Sequence, residues 1–290
     1  MHDYLRAIGF SKVTNRRDMQ RLLDMVILSP ADSHVSGQGM QSPFCERSRD
    51  FAKGIGLTVR GELDETGRFN YEYYFPHYNG ESASLTEDVC LEKLPEREEY
   101  HGVCDIANLG VTLIFHMNRQ ADYADYLDEE KLIPRASICL SALSISGKVL
   151  IPLLHSEDEA KRRTKELATR RSMIAAARQG DQDALENLTL EDMDIYSMIS
   201  KRIKKEDILS IVASTFMPYG IASDQYSIIG DILSCEEVYN QMTGEKLYQM
   251  LIQCNDLMID LCINAEDLMG EPAEGRRFKG NIWLQGHLEN

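Results

Sequence analysis

The chain has 290 residues, 43% of them hydrophobic, and a formal net charge of −16 from 47 acidic and 31 basic side chains. That length buries a sizeable core, in one large domain or two of ordinary size, and the apolar content excludes a disordered chain. The acidic balance repels nucleic acid and anionic membranes over about a Debye length, roughly 8 Å at physiological salt, so neither is expected as a partner.

The start, MHDYLRAIGF, carries Asp3 and Arg6 where a secretory signal needs an uninterrupted apolar run. No later stretch supplies a spanning helix; the nearest, 138–154, is interrupted by Gly147 and Lys148. Seven cysteines form no C-x-x-C pair, and most sit inside apolar runs. An odd, scattered set fits a reducing compartment, so the expected location is the cytoplasm.

Thr14 ahead of Met19, Leu22, Leu23, Val26 and Ile27 predicts an amphipathic helix, capped by Thr14 and ended before Pro30. Residues 29–43, rich in Ser and Gly, read as a loop. From Ile55 the period changes to two. Leu57, Val59, Gly61 and Leu63 share a face, the turn Asp64-Glu65-Thr66-Gly67 follows, and Phe69, Tyr71, Tyr73 and Phe75 resume the alternation, which predicts a hairpin. Further strands are expected at 102–107, 111–117, 137–144 and 148–154, with a short helix over 122–130 and a hairpin turn at Gly147-Lys148.

Ser156-Glu157-Asp158-Glu159 is a capping box, and the helix it opens should run to a stop at Gly180. Helical stretches at 181–187 and 190–204 follow. After Asp207 strands are expected near 209–217, 226–236, 246–254, 257–264 and 278–287, joined by connections short enough for an antiparallel meander. The expected fold class is therefore α+β. Two lobes, 1–154 and 155–290, each pack helices on a mainly antiparallel sheet; the second has helices in 156–204 and strands in 207–287. NLGVTLIFHMN (108–118) resembles NDLMIDLCIN (255–264), and each precedes a loop of roughly twenty residues and then a strand, SICLSAL or NIWLQG. A divergent tandem repeat and chance both account for that echo.

Charge is unevenly spread. Residues 206–275 hold thirteen Asp or Glu against Lys246 alone, a net of −12, whereas 155–205 carry eleven Lys or Arg against ten acids. Within 157–178 the pairs Glu157–Lys161, Asp158–Arg162, Glu159–Arg163 and Glu166–Arg170 have the spacing of a solvated, self-paired helix rather than a phosphate-binding one. His101-x-x-Cys104 has no second matched pair, and on a strand its two side chains point to opposite faces. In YEYYFPHYNG (71–80) the aromatics continue a strand face and leave Tyr74, His77 and Tyr78 outward. FMPYGIASDQY (216–226) is turn chemistry, with Tyr219, Asp224 and Gln225 as its loop candidates for function. There is no glycine-rich phosphate loop, G-x-S-x-G elbow or H-E-x-x-H helix.

GRRFKGNIWLQGH (275–287) sets cations and the chain's one tryptophan on a strand. Alternation turns Phe278, Gly280, Ile282 and Leu284 to the core and Lys279, Asn281, Trp283, Gln285 and His287 outward. If 246–254 and 257–264 are its neighbours, Trp283, Lys279 and Asn281 share a polar face with Asp256, Asp260, Gln249 and Gln253, rimmed by Arg276 and Arg277. This is the candidate ligand-binding surface, suited to a polar small molecule or a partner protein. The alternative is an ordinary sheet face on which one of the chain's own helices covers Trp283.

LRAIGFSK (5–12), LTLEDMDIYSMISKRIKKEDILSIVASTFMPYGIASDQYSIIGDI (188–232) and RRFKGNIWLQG (276–286) resemble a family of uncharacterised cytoplasmic proteins from clostridial bacteria. The likeness spans the full chain and implies a cytosolic bacterial protein, with no catalytic residue to carry over. No nucleophile, base or metal set converges in the sequence. The expectation is a non-catalytic binding or interaction module with an acidic C-terminal lobe, no cofactor and no metal, its oligomeric state open. The alternative is a hydrolase or transferase built on acidic residues such as Asp224, Asp231, Asp256 and Asp260 and assisted by a divalent cation.

Overall fold

The computed structural model describes residues 2–36, 44–82, 84–93, 99–106, 111–123, 132–152 and 214–289, with 169, 172–174, 176–177, 180–188 and 190. A 3-10 turn (Asp3–Ile8) and helix α1 (Arg16–Leu28) open the chain. The apolar spacing of α1 buries Met19, Leu22, Leu23 and Val26 as expected. Its cap is Asn15 rather than Thr14, the Asn15 side chain accepting the Asp18 N–H at 2.9 Å.

Strands β1 (Asp32–Ser36), β2 (Phe44–Ala52), β3 (Ile55–Leu63) and β4 (Phe69–Tyr78) form a four-stranded antiparallel sheet in that order. The predicted hairpin is its β3–β4 pair. Its turn is held by Asp64, whose Oδ1 accepts the N–H groups of Thr66 and Arg68, with Gly67 at φ 77°. Leu57 and Val59 share a core cluster with Leu22 and Leu23 of α1. The pairings Glu46↔Arg60, Ser48↔Thr58 and Gly56↔His77 put Glu46, Ser48, Thr58 and His77 on the other face.

The remaining strands are β5 (Leu85–Lys93), β6 (Tyr100–Ile106), β7 (Val111–Met117), β8 (Leu132–Leu150), β9 (Thr215–Pro218), β10 (Gln225–Tyr239), β11 (Lys246–Cys254), β12 (Leu257–Asn264), β13 (Leu268–Met269) and β14 (Arg277–Glu289). They make one mixed sheet that closes twice. Its spine is the antiparallel β8–β14 ladder, from Ser137↔Glu289 to Leu150↔Arg277. The antiparallel run β5-β6-β7 returns to that spine, β5 on β8 and β7 parallel to β14, closing a first ring of five strands. The run β10-β11-β12 does the same with the partners exchanged, β10 on β14 and β12 parallel to β8, closing a second. NLGVTLIFHMN and NDLMIDLCIN thus contribute β7 and β12, the third strand of each run.

Inward residues of both rings form one cluster that includes Leu113, Phe115, Ile138, Ile252, Ile259 and Phe278, all fully buried. Alternation on β14 runs as expected, with Phe278, Ile282 and Leu284 inward. The fold class is corrected. The chain is mostly β, with a large mixed sheet and a small antiparallel one, and is not an α+β arrangement of helices packed on sheets. The alternating strands are real, but a sheet closed on itself covers its own apolar face and leaves that face no need of a helix.

The turn expected at Gly147 is also corrected, since β8 runs unbroken through it. A Cβ at Gly147 would stand 2.5 Å from the Phe278 ring, so the glycine makes room for packing. The irregularity lies just before it, as a bulge facing Asn281 and Ile282. Gln120–Tyr123 is a 3-10 turn, and the rest of the expected 122–130 helix lies outside the described residues. So do the capping box at 156–159, the 190–204 helix beyond its first residue, and 209–213. Gly180 does end a helical stretch, at φ 91° with its N–H on the Ala177 carbonyl. Among the described residues no helix is long and apolar enough to cross a membrane.

Candidate functional site

His101 on β6 and His116 on β7 stand opposite each other in register. Both point out of the first ring because Cys104, Phe115 and Met117 take the inward positions. Trp283 lies on the same outward face of β14, two residues from Gln285, the partner of His116. Strand β4 lies across this face. The Phe75 ring meets His116 at 4.5 Å, and Gln285 accepts the Tyr78 N–H at 2.9 Å and donates to the Pro76 carbonyl at 2.8 Å. The N-terminal segment completes the cover, with the His2 and Tyr4 rings 4.7 and 5.3 Å from Trp283. Trp283 is therefore buried beneath β4 and the short 3-10 helix, so one of the chain's own helices does cover it, as the alternative reading expects, together with a strand.

Asp224 reaches the same place from the β9–β10 connection. Gly220 at φ 76° turns the chain, the Tyr219 N–H closes on the Gln225 carbonyl at 2.8 Å, and the Asp224 carbonyl accepts the Leu284 N–H at 2.9 Å. Its carboxylate Oδ2 accepts the Trp283 indole N–H at 2.6 Å and lies 3.0 Å from His101 Nε2. Burial alone would push this carboxyl up, but the bonds from His101 and Trp283 hold it below its usual range. Burial, and then His101, push the His116 imidazole well below its ordinary value, so it is neutral.

His116 is fully buried, and neither of its ring nitrogens has a hydrogen-bond partner. Leaving such a group unsatisfied costs about 1–3 kcal/mol. Ligand atoms of His101, His116 and Asp224 all lie within 4.8 Å of one another, the sole such group of three His, Cys, Asp or Glu among the described residues. A cavity of about 280 Å³ opens beside them, lined by His2, Tyr4, Glu99, Asp224, Gln225 and Trp283. Two imidazoles and a carboxylate are a donor set for a transition metal, with further positions free for water or a ligand.

The residues read from the sequence as one surface are spread over several places. Strand β14 lies between β8 and β10, while β12 lies between β11 and β8, so the two strands are not neighbours. Gln249 and Asp260 do meet, lining a second cavity of about 170 Å³. Gln249 donates there to the Lys53 carbonyl at 2.7 Å, and Asp260 accepts the Ser82 N–H at 2.9 Å. Lys279 is exposed between Lys148 and Ile229, Asp256 sits at the half-exposed start of β12, and the Asn281 carbonyl takes the Ser144 hydroxyl. Arg276 donates to the Glu271 carbonyl, and Arg277 is buried against the Ile151 carbonyl. Gln253 is exposed on β11, and of the nine Trp283 alone belongs to the histidine cluster.

Cys104, the residue paired with His101 in the H-x-x-C spacing, points the other way, into the ring. The signal for its true partner was present. A hairpin centred between Ile106 and Val111 sets His101 opposite His116, and Asp224 stood among the loop candidates.

No curated protein and no solved structure shows significant similarity to this chain. A family model matches residues 5–286, and its family is named from a clostridial bacterium, in keeping with the resemblance noted in the sequence. The chain belongs to the family described as "Domain of unknown function, E. rectale Gene description (DUF3881)".

Proposed function

We propose that this protein is a binding module that holds a divalent transition-metal ion on His101, His116 and Asp224 and offers it to a polar small molecule entering the cavity beside Trp283. The observation that carries this reading is His116, a neutral imidazole buried with both nitrogens bare beside a carboxylate and a second histidine. Mixed nitrogen and oxygen donors suit zinc, iron, cobalt or manganese better than magnesium or calcium. Atoms bound to zinc at about 2.1 Å lie about 3.4 Å apart, so the cluster, at most 4.8 Å wide, closes by up to about 1.4 Å, a change that side-chain rotation supplies. Trp283 orients Asp224 from behind, as partners of metal ligands commonly do. All seven cysteines are free thiols, which supports the cytoplasmic location included in this reading.

The cavity favours a second reading, a metal-assisted hydrolase in which the open position holds water. Titration of metal-free protein with Co²⁺, followed by visible absorption and melting, tests the site. One equivalent should bind to the wild type and none to His116→Leu. Equal stabilisation by Ca²⁺ or Mg²⁺, or an unchanged cobalt spectrum in the variant, would overturn the assignment. Hydrolysis of an activated ester or phosphodiester by the loaded wild type, absent in His116→Leu, would select the hydrolase.

A further inference from the structure

A separate cavity of about 130 Å³ lies between the polar face of the small sheet and the end of β7, sharing no residue with the histidine cluster. Three acceptor oxygens of its lining residues, Glu46 Oε1, Asn79 Oδ1 and Asn118 Oδ1, are buried with no donor. Two of their side chains are almost wholly buried, Glu46 at 5% and Asn118 at 2% exposure. Their orientations are set by other bonds. Glu46 Oε2 accepts the Ala121 N–H at 2.9 Å, and the Asn118 amide donates to the Tyr78 carbonyl at 3.0 Å, which turns each free oxygen away from these partners.

At the rim stand two carboxylates with largely exposed side chains, Asp32 at 63% and Asp50 at 49%. Each is engaged by a histidine, His34 at 2.8 Å and His77 at 2.8 Å, and His77 also contacts Thr58 Oγ1 at 2.9 Å. Three carboxyl groups, Arg119 and the imidazoles of His34 and His77 line the cavity, and with the imidazoles neutral the carboxylates outnumber the cation.

The choice of cation follows from the acceptors. A single water donates two hydrogen bonds, so no one water satisfies all three acceptors. A primary ammonium donates three. The volume is several times the roughly 10–15 Å³ that a single water needs, enough for an ammonium and a short alkyl chain.

We propose that this cavity binds a primary alkylammonium group, its three N–H donors taken by Glu46, Asn79 and Asn118, and that a short diamine sets its second ammonium at the Asp32–Asp50 rim. Burial, helped by Asp122, pushes the Glu46 carboxyl up to about 7 against the pull of the Ala121 N–H and Arg60. An ammonium beside it favours the carboxylate, so binding near neutral pH releases a proton.

Calorimetric titration at matched ionic strength with 1,4-diaminobutane, methylamine, tetramethylammonium and MgCl₂ tests the assignment. Saturable binding is expected for the diamine, weaker binding for methylamine, and none for tetramethylammonium, which has no N–H, or for Mg²⁺. The diamine heat should vary with the ionisation enthalpy of the buffer in the wild type and lose that dependence in Glu46→Gln. Both Glu46→Gln and Asn118→Leu should weaken the diamine by about tenfold or more. Binding of tetramethylammonium equal to that of the amines, Mg²⁺ competing for the site, absence of a saturable diamine heat, or wild-type affinity in Glu46→Gln would each overturn it. Glu46→Gln keeps side-chain volume and the acceptor for Ala121, so it and the wild-type ligand series decide the matter even where Asn118→Leu does not fold.

Discussion

In the first ring Phe115 lies over Gly102 and Gly286, where an added Cβ would stand 2.3 and 2.7 Å from the aromatic ring; in the second Phe278 lies over Gly147 and Gly280, each at 2.5 Å. Each closed interior thus takes one phenylalanine into the gap that two glycines leave. The outsides differ. Around the second ring the 3-10 turn packs on apolar groups, Leu143 of the spine, Leu247 and Cys262. Around the first, beneath the same segment and β4, lie His101, His116, Gln285 and Trp283. A ring interior has one physical task, filling volume without strain. A covered outer face can be apolar, as on the second ring, so burying the unpaired His116 on the first sacrifices stability for something other than packing.

The largest effects should show how alike the interiors are. Phe115→Ala and Phe278→Ala should each lose about 3–5 kcal/mol in urea unfolding; a large loss in one and a negligible loss in the other would break the equivalence. Next comes the polar cover of the first ring. Burial raises the Glu46 carboxyl from 4.5 to about 7, so its contribution is fully present below the ordinary value and is lost as pH rises through about 7. That loss is worth about 3 kcal/mol, and Glu46→Gln should flatten the fall in stability between these pH values. A wild-type slope kept in the variant would assign the pH dependence to other groups.

Trp283→Phe keeps most of the ring but removes the bond to Asp224. It should weaken Co²⁺ binding by about 10- to 100-fold, while the same metal leaves Phe278→Leu no weaker than wild type. His116→Leu converts one position of the first ring's outer face to the chemistry of the second. Metal-free, it should gain about 1–2 kcal/mol in chemical denaturation, and a loss instead would show that the imidazole is satisfied in solution. The smallest effect belongs far from both rings. Asn15→Ala removes the α1 cap for about 1 kcal/mol and should leave metal and amine binding unchanged.

Local properties were legible in the sequence because they depend on near neighbours. The period of 3.6 in α1, the period of two in β3, β12 and β14, the Asp64 turn and the outward side of Trp283 all follow from the alternation of side chains along one segment. Alternation does not say which strand lies alongside. The Ser137↔Glu289 pair joins residues 152 positions apart, and β12 meets β8 rather than β14, so the surface assembled from adjacent segments came apart. Gly147 carries the same lesson, since a glycine admits a turn and a close approach equally, and only Phe278 arriving from the far end of the chain selects between them. The candidate metal site joins a hairpin near residue 110 to a loop near residue 220. Sequence could place His101 opposite His116, but Asp224 reaches them only because the closed β8–β14 ladder holds β10 against β14, a long-range pairing that no local periodicity encodes.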